Sequence, residues 1–298
     1  MTVPDFSLKT SQTTEWTPTM YIASAWEQYF SNHHEGLGTT YERFILHRYF
    51  EKIKRAHSIQ SVLEVPSFGM TGISGINSLW WAQQGAKVTV VDENERRIGL
   101  IRGIWQDLCF DADFIYQKPG YSSLCFKDKS FDMSWNFASL AAVQKPKDFL
   151  KELARVTKKV IFICVPNKWN IASFVRFGVN KQSEVCSGAI RPRSHRKMVG
   201  GANWHCAERG FFDVPPWPDI AMKKEDLMEK IGFKRLAQKM EKKGERHICI
   251  LDYFSGKNPD MERTILKYAF LENSPRIFKR FWAHHQYFIF ISNKTNDT

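Results

Sequence analysis

Residues 61–75 read Ser61-Val-Leu-Glu-Val-Pro-Ser-Phe-Gly-Met-Thr-Gly-Ile-Ser-Gly75, and residues 87–92 read Lys87-Val-Thr-Val-Val-Asp92. The first segment predicts an apolar strand and a glycine-rich turn into a helix, and the second predicts a strand that ends on a carboxylate. A bare backbone turn at a helix N-terminus, beside an acid on the next parallel strand, suits a ligand that carries a ribose. The pattern therefore predicts the nucleoside-binding edge of an α/β sheet.

Apolar strands and helical patterns alternate from residue 61 to residue 165, which predicts a doubly wound, mostly parallel sheet with helices on both faces. We assign residues 1–58 to an N-terminal helical cap and residues 59–298 to the sheet domain, with a substrate-side insertion at 168–222 after the fifth strand. The two parts are expected to form one compact unit. The predicted strands are 61–65, 87–92, 113–117, 131–136, 159–165, 233–240 and 287–292; the predicted helices are 22–31, 39–56, 75–85, 94–107, 146–157, 223–232 and 259–282.

The glycine spacing and two downstream segments favour one family of nucleoside-binding proteins over another. A nicotinamide-dependent oxidoreductase would show G-x-G-x-x-G at the turn, whereas here a glycine stands at every third position. Residues 124–136 read Leu124-Cys-Phe-Lys-Asp-Lys-Ser-Phe-Asp-Met-Ser-Trp-Asn136, and residues 152–158 read Glu152-Leu-Ala-Arg-Val-Thr-Lys158. Together with the first motif, this order resembles the class I S-adenosylmethionine-dependent methyltransferases, in particular the group that acts on small molecules, quinones and lipids. The resemblance covers about residues 40–167.

The resemblance implies a seven-stranded Rossmann-like sheet, whose last two strands pair antiparallel at one edge, and S-adenosylmethionine as the cofactor. By position, the glycine turn would surround the methionine part, Asp92 would hold the ribose, Glu93 or Asn94 would border the adenine, and the end of the fourth strand would lie where sulfur and acceptor meet. The implied cofactor-binding residues are Glu64, Gly69, Gly72, Gly75, Asp92, Glu93, Asn136 and Phe137.

The chain departs from the family pattern at two places. The family motif is a short E-x-G-x-G-x-G, whereas this loop is longer by about five residues and has Pro66 where the first glycine would fall. The family often places an acid after the third strand, and here Gln117 follows instead. Tyr41 and Arg43 of the N-terminal helix are candidates for the cofactor carboxylate, although exposed helical surface is the favoured expectation for both.

Methyl transfer from a sulfonium donor depends mainly on alignment of the acceptor, and a base is needed only when the acceptor must lose a proton. His205 is the first candidate for that base and His195 the second, although a lone histidine in a loop is more often a surface residue. The six cysteines, at positions 109, 125, 164, 186, 206 and 249, show neither disulfide nor zinc-site spacing. No metal ligands are assigned, and a reducing compartment is expected.

The positive charge is concentrated in the C-terminal part. Residues 168–298 carry 24 Lys and Arg against 14 Asp and Glu, which accounts for most of the net charge of +12, and the densest cluster is Arg191-Pro-Arg-Ser-His-Arg-Lys197. Such a field favours anionic acceptors, nucleic acid or an acidic membrane surface. Residues 210–219 are aromatic and proline-rich, and the aromatic content of 14% suits a flat or isoprenoid acceptor.

These observations predict a methyltransferase that moves a methyl group to a small hydrophobic or anionic acceptor of a quinone-, lipid- or cofactor-like kind. Two alternatives stay open: an RNA or protein methyltransferase, which the basic C-terminal part favours, and a non-catalytic S-adenosylmethionine-binding regulatory protein. Nucleic acid is the less favoured partner, since no RNA-binding motif accompanies the basic cluster. Without a long apolar run or a signal-peptide pattern, we expect a cytoplasmic protein that contacts membranes at most peripherally.

Overall fold

Seven strands form a single sheet in the computed structural model, which describes residues 26–69, 72–118, 120–140, 142–171, 203–216 and 248–293. They are β1 (Ser61–Glu64), β2 (Lys87–Asp92), β3 (Asp113–Tyr116), β4 (Phe131–Phe137), β5 (Thr157–Pro166), β6 (Trp204–Phe212) and β7 (His285–Ser292). Their spatial order is β3-β2-β1-β4-β5-β7-β6. Strands β1 to β5 run parallel, and β7 is antiparallel to both of its neighbours. The predicted doubly wound, Rossmann-like sheet is confirmed.

Helices cover both faces of this sheet. They are α1 (Glu27–Ser31), α2 (Gly36–Ala56), α3 (Leu79–Gln83), α4 (Glu95–Asp107), α5 (Pro146–Val156), α6 (Ile250–Phe254), α7 (Met261–Ile265) and α8 (Arg276–Trp282), with a 3₁₀ helix at Leu266–Asn273. Helices α2, α3, α4 and α6 pack on one face and α5 on the other. No helix in the described ranges combines the length and apolarity needed to cross a membrane.

The central strands are buried on both faces because successive side chains enter different cores. Val62 and Phe162 join the cluster beneath α2 to α4, whereas their neighbours Leu63 and Ile161 join the cluster beneath α5. A strand with two covered faces reads as a continuous apolar run rather than as an alternating one. This explains why β1, β2, β4 and β5 could be predicted from the sequence nearly to their observed ends.

The edge strand next to β7 differs from the prediction. The sequence predicts that residues 204–212 belong to the insertion and that 233–240 is the penultimate strand. In the structure, residues 204–212 form β6 and pair with β7 over the whole length of the strand. The helix predicted at 75–85 is shorter, Leu79–Gln83, because the glycine loop continues through residue 78. The helix predicted at 259–282 is three short pieces, two of them α-helical.

Several predicted features lie outside the described residues. These are the basic cluster 191–197 with His195, the helix 223–232, the strand 233–240 and the end of the proline-rich segment from residue 217.

The carboxyl ends of the parallel strands meet the start of β7 at one edge of the sheet. Pro166, the last residue of β5, is paired with His285, the first residue of β7. Phe212, the last residue of β6, is also paired with His285. We call this the carboxyl edge; ligands of open α/β sheets bind at such an edge.

Candidate functional site

The glycine loop after β1 lies directly on the end of β4. Gly69 has a φ of +127°, and a Cβ atom at this position would lie 1.8 Å from the carbonyl oxygen of Phe137. Gly72 has a φ of +97°, and a Cβ atom there would lie 2.4 Å from Glu35 Oε1. Only glycine fits either position without displacing backbone or a buried carboxylate. The third glycine, Gly75, also has a positive φ and donates its N–H to the carbonyl of Ser67.

A buried ion pair from the N-terminal helix holds this loop. Arg43 of α2 pairs with Glu35, and its guanidinium also donates to the Ile73 carbonyl at 2.8 Å and to Asn77 Oδ1. Glu35 Oε1 in turn accepts the N–H of Ile73 at 2.7 Å. Arg43 is 1% exposed and Tyr41 is fully buried. The expectation that both are exposed helical surface is therefore wrong, because α2 lies across the carboxyl edge rather than over solvent.

Glu64, at the end of β1, is a buried carboxyl group that accepts a hydrogen bond from the backbone. The N–H of Ser78 donates to its Oε2 at 3.3 Å, and the hydroxyl of Ser78 accepts the indole N–H of Trp135 at 3.0 Å. Burial raises the pKa of Glu64 to about 8, against the smaller lowering effects of Ser78 and Arg43. The group is therefore largely protonated near neutral pH.

Asp92, at the end of β2, is fully engaged by its own chain. Arg97 of α4 binds it with two parallel hydrogen bonds of 2.9 and 2.6 Å, Ser67 Oγ donates to Oδ2, and the N–H of Asn94 donates to Oδ1 at 2.8 Å. A carboxylate offers about four lone-pair positions, so these four hydrogen bonds use its acceptor capacity. The guanidinium of Arg97 is itself covered by the ring of Phe68 at 4.9 Å.

The next acid along the chain is more accessible. Glu93 is half-buried, and its carboxylate accepts the backbone N–H of Gly120. Burial and the nearby charge of Asp92 raise its pKa. Beside it, Gln117 donates from Nε2 to the Ser123 carbonyl at 3.0 Å, whereas its Oε1 is buried without a hydrogen-bond partner in the described part of the chain.

The end of β4 presents a second buried oxygen without a partner. Asn136 donates from Nδ2 to the Val65 carbonyl at 3.3 Å and to Ser139 Oγ, but no described group donates to its Oδ1. The following residue, Phe137, packs its ring 4.8 Å from the ring of His285. The predicted residues Glu64, Gly69, Gly72, Gly75, Asp92, Glu93, Asn136 and Phe137 thus all lie along the carboxyl edge or in the loop that covers it.

Comparison with known proteins agrees with this geometry. A family model described as a methyltransferase domain matches residues 69–163, the segment that runs from the glycine loop through β5. Residues 69–163 therefore carry a methyltransferase domain. No curated protein matches the sequence of the chain.

Solved structures with a similar fold are distant in sequence. A SAM-dependent methyltransferase from Aquifex aeolicus is 17% identical with a TM-score of 0.33, and the match covers 40% of this chain and 64% of that one. The YcgJ protein of Bacillus subtilis is 12% identical with a TM-score of 0.43, covering 84% of this chain and 99% of that one. A protein from Galdieria sulphuraria described as a sarcosine dimethylglycine methyltransferase is 11% identical with a TM-score of 0.45, and the match covers 82% of this chain and 84% of that one.

S-adenosylmethionine, the cofactor that a methyltransferase domain implies, fits the polar groups at the carboxyl edge in part. Asn136 Oδ1 and Gln117 Oε1 are buried acceptors without a donor among the described residues, and buried oxygens in this condition are rare unless a ligand or water satisfies them. Glu93 adds an accessible carboxylate beside them. Asp92 does not offer a free oxygen, because Arg97, Ser67 and Asn94 occupy it. A ribose contact at Asp92 would require one of these partners to move.

His205, the candidate base, lies far from these residues in the methyltransferase sheet. It is exposed on β6, and its Nδ1 is 2.6 Å from Asn293 Oδ1. Its partner across the ladder, Ile291, also pairs with Val160 near the start of β5. Six residues of strand separate Val160 from the end of β5 at Pro166, so His205 lies roughly 20 Å from the carboxyl edge. The structure does not bring this imidazole together with the cofactor-binding residues.

A different set of titratable groups lies at the carboxyl edge. His285 Nδ1 is 2.9 Å from Glu42 Oε1 and 3.3 Å from Asp213 Oδ2, and His284 Nδ1 is 2.8 Å from the same Asp213 oxygen. Burial lowers the pKa of His285, but the two carboxylates outweigh it and raise the pKa to about 10. The histidines hold the pKa of Asp213 at about 2 despite its burial, whereas burial raises that of Glu42.

Sequence reasoning missed this group because its members are far apart in the chain. Glu42 belongs to α2, Asp213 follows β6, and the two histidines open β7. The only local signal is the pair His284-His285 directly before an apolar strand.

Proposed function

We propose that this methyltransferase transfers the methyl group of S-adenosylmethionine to a small hydrophobic or anionic acceptor of a quinone-, lipid- or cofactor-like kind. The observation that supports this acceptor class is a surface of exposed apolar and basic side chains beside the carboxyl edge. We call it the edge patch; its members are Trp169, Ile171, Ile277, Arg280 and Phe281.

The edge patch is fixed to the end of β5. Asn167 donates from Nδ2 to the carbonyls of Arg280 and Ala283 at 2.9 and 2.7 Å, which ties α8 to the segment that follows Pro166. Within the patch, Ile277 is 72% exposed and Ile171 52%. The guanidinium of Arg280 lies 4.3 Å from the centre of the Trp169 ring. Exposed apolar side chains around one arginine suit a partner that has an apolar body and an anionic group.

The proposed cofactor contacts follow from the free polar groups. Glu93, Asn136 and Gln117 would supply hydrogen-bonding side chains. The glycines at positions 69, 72 and 75 would allow the cofactor to approach the backbone closely, and Phe137 would border the acceptor. We propose that Asp92 contributes mainly by holding Ser67 and Arg97, and Glu64 by fixing the start of α3 through Ser78. The bound cofactor supplies an activated methyl group, so the chain needs chiefly to orient the acceptor and to exclude water.

The location and organisation of the chain are part of the same proposal. The five cysteines of the described ranges are free, which supports a reducing, cytoplasmic compartment. We also propose that the N-terminal cap and the sheet domain act as one compact unit, since Arg43 and Glu42 of α2 reach the glycine loop and His285, respectively.

The test is methyl transfer from labelled S-adenosylmethionine into a host-cell extract that is then separated into lipid, small-molecule, RNA and protein fractions. We expect label in the lipid or the small-molecule fraction. The Gly69→Ala variant should abolish it, because the new Cβ at a φ of +127° would meet the Phe137 carbonyl. The matched control is Gly99→Ala, a helical glycine with no atom within 4 Å of the added Cβ, which should keep full activity.

The alternatives give different results in this experiment. Label in the RNA or protein fraction would replace the proposed acceptor with a macromolecule. Saturable cofactor binding by calorimetry, with no label in any fraction, would indicate the non-catalytic regulatory protein. Gly69→Ala activity equal to that of Gly99→Ala would contradict the assignment of the glycine loop.

A further inference from the structure

Three donor side chains converge in the buried group at the carboxyl edge. Glu42 is 7% exposed and Asp213 is 3% exposed, and the side chain of His285 is 15% exposed. One atom from each, namely Glu42 Oε1, Asp213 Oδ2 and His285 Nδ1, lies within 4.8 Å of the other two. We call these three residues the donor cluster.

Two of the three spacings among these atoms match the ligand shell of a small divalent cation. His285 Nδ1 lies 2.9 Å from Glu42 Oε1 and 3.3 Å from Asp213 Oδ2. Nitrogen and oxygen ligands each about 2.0–2.2 Å from one ion, at tetrahedral or octahedral angles, lie roughly 3 Å apart. Small side-chain movements would therefore be enough to bring all three atoms into contact with one ion.

One of the donor atoms is held by an ion pair alone. Glu42 Oε1 is buried and lies 2.9 Å from His285 Nδ1, but no group in the described part of the chain meets it with hydrogen-bond geometry. Leaving a buried carboxylate oxygen without a hydrogen bond is costly. A divalent cation in place of the His285 proton would satisfy this oxygen and would offset the repulsion between the two buried acids.

The remaining contacts orient the cluster rather than fill it. His284 Nδ1 lies 2.8 Å from Asp213 Oδ2, and the backbone N–H of His284 donates to the Asp213 carbonyl at 2.9 Å. Asp213 itself has a φ of 62°, an uncommon conformation that aspartate tolerates better than most residues. Outer partners that fix ligating carboxylates in this way are typical of metal sites.

We propose that Glu42, Asp213 and His285 form a binding site for a first-row divalent cation, with Zn²⁺ the best match to one imidazole and two carboxylates. This donor set suits zinc, manganese or ferrous iron better than calcium, which prefers oxygen alone. The ring of His285 packs 4.8 Å from that of Phe137, so the site lies beside the end of β4. Its role rests on the proposed function: there the ion would polarise an oxygen of the acceptor and ease its deprotonation.

Ion binding can be measured without any methyl transfer. The full-length protein, stripped with a chelator, is dialysed against Zn²⁺ and separately against Co²⁺, and the bound metal is counted by elemental analysis. We expect one ion per chain. The Co²⁺ protein should show the absorption bands of a site with nitrogen and oxygen ligands and no thiolate-to-cobalt charge-transfer band, which would exclude binding at the exposed Cys109 and Cys125. His285→Gln should lose this ion. The matched control His205→Gln, which removes an exposed histidine of the same chain, should keep it.

Each result decides the proposal. The proposal is supported if His285→Gln and a second variant, Asp213→Asn, both lose the ion while circular dichroism shows that they are folded. If Asp213→Asn does not fold, Glu42→Gln replaces it. The absence of a stoichiometric ion in the wild-type protein, or equal binding by His285→Gln and wild type, would overturn it. A bound ion together with failure of methyl transfer to lipids and small molecules would leave the site standing and reject only the proposed acceptor.

Discussion

Replacement of Glu64 by glutamine tests whether the end of β1 carries a protonated carboxyl group. The side chain is buried, and burial raises its pKa from the ordinary value of 4.5 to about 8. Glutamine has nearly the same shape and keeps a carbonyl oxygen for the N–H of Ser78, which lies 3.3 Å from the present acceptor. The variant therefore removes the ionisation and little else.

The expected effect follows from proton linkage. Between pH 4.5 and pH 8 the unfolded chain loses the Glu64 proton while the folded chain keeps it, so the folded state binds more protons and stability falls as the pH rises. At about 1.4 kcal/mol per pH unit, this group alone removes up to about 5 kcal/mol of stability across that interval and nothing more above pH 8. Below pH 4.5 both states are protonated, and the group has no effect.

Urea unfolding of the wild type and Glu64→Gln at pH 5, 7 and 9 measures this difference. The variant should be close to wild type at pH 5 and more stable by several kcal/mol at pH 9. The control Glu51→Gln changes a half-exposed carboxylate that pairs with Arg55 on the same helix, and its difference from wild type should stay near zero at every pH. A Glu64→Gln difference that does not change with pH would refute the protonated carboxyl group.

Three other predictions concern the cofactor, the edge patch and the network of Asp92. Glu93→Gln should weaken S-adenosylmethionine binding about tenfold in calorimetry, the effect of losing one charge-assisted hydrogen bond, and unchanged affinity would remove Glu93 from the site. Asp92→Asn should instead act on folding, costing about 3–5 kcal/mol in urea unfolding, because it leaves the buried Arg97 unpaired; loss of affinity with full stability would restore Asp92 as the ribose ligand. Ile277→Ser should reduce binding to anionic phospholipid vesicles in a flotation assay while Tyr116→Ser, an exposed aromatic on β3, does not; equal retention by both variants would argue against membrane contact through the edge patch.

The parts of the fold that the sequence predicted well are those in which local pattern and burial agree. Strand β4 is buried at every position, and β2 is buried at every position after its first residue. Such strands carry apolar runs bounded by turn residues. Glu64 and Asp92 could be placed at strand ends for the same reason, since a polar residue that closes a buried run must lie at the edge of the sheet.

Strand β6 could not be recognised in this way. Residues 204–212 include His205, Cys206, Glu208 and Arg209. The exposure of this strand alternates over most of its length because it is the outermost strand of the sheet. In the sequence, a short edge strand with one polar and one apolar face resembles a loop when no alignment identifies the strand that pairs with it. Only the ladder with β7 defines it, and that pairing joins residues about 80 positions apart in the chain.

Sequence reasoning also could not place the functions of α2, because they depend on partners from three distant segments. Three consecutive residues of this helix point to different parts of the carboxyl edge: Tyr41 donates to Glu272 Oε1 at 2.9 Å, Glu42 approaches His285, and Arg43 holds the Ile73 carbonyl of the glycine loop. Successive helical residues are about 100° apart around the axis, so all three can be buried only if the helix is surrounded. The N-terminal helix therefore contacts both the loop that we propose admits the cofactor and the proposed donor cluster.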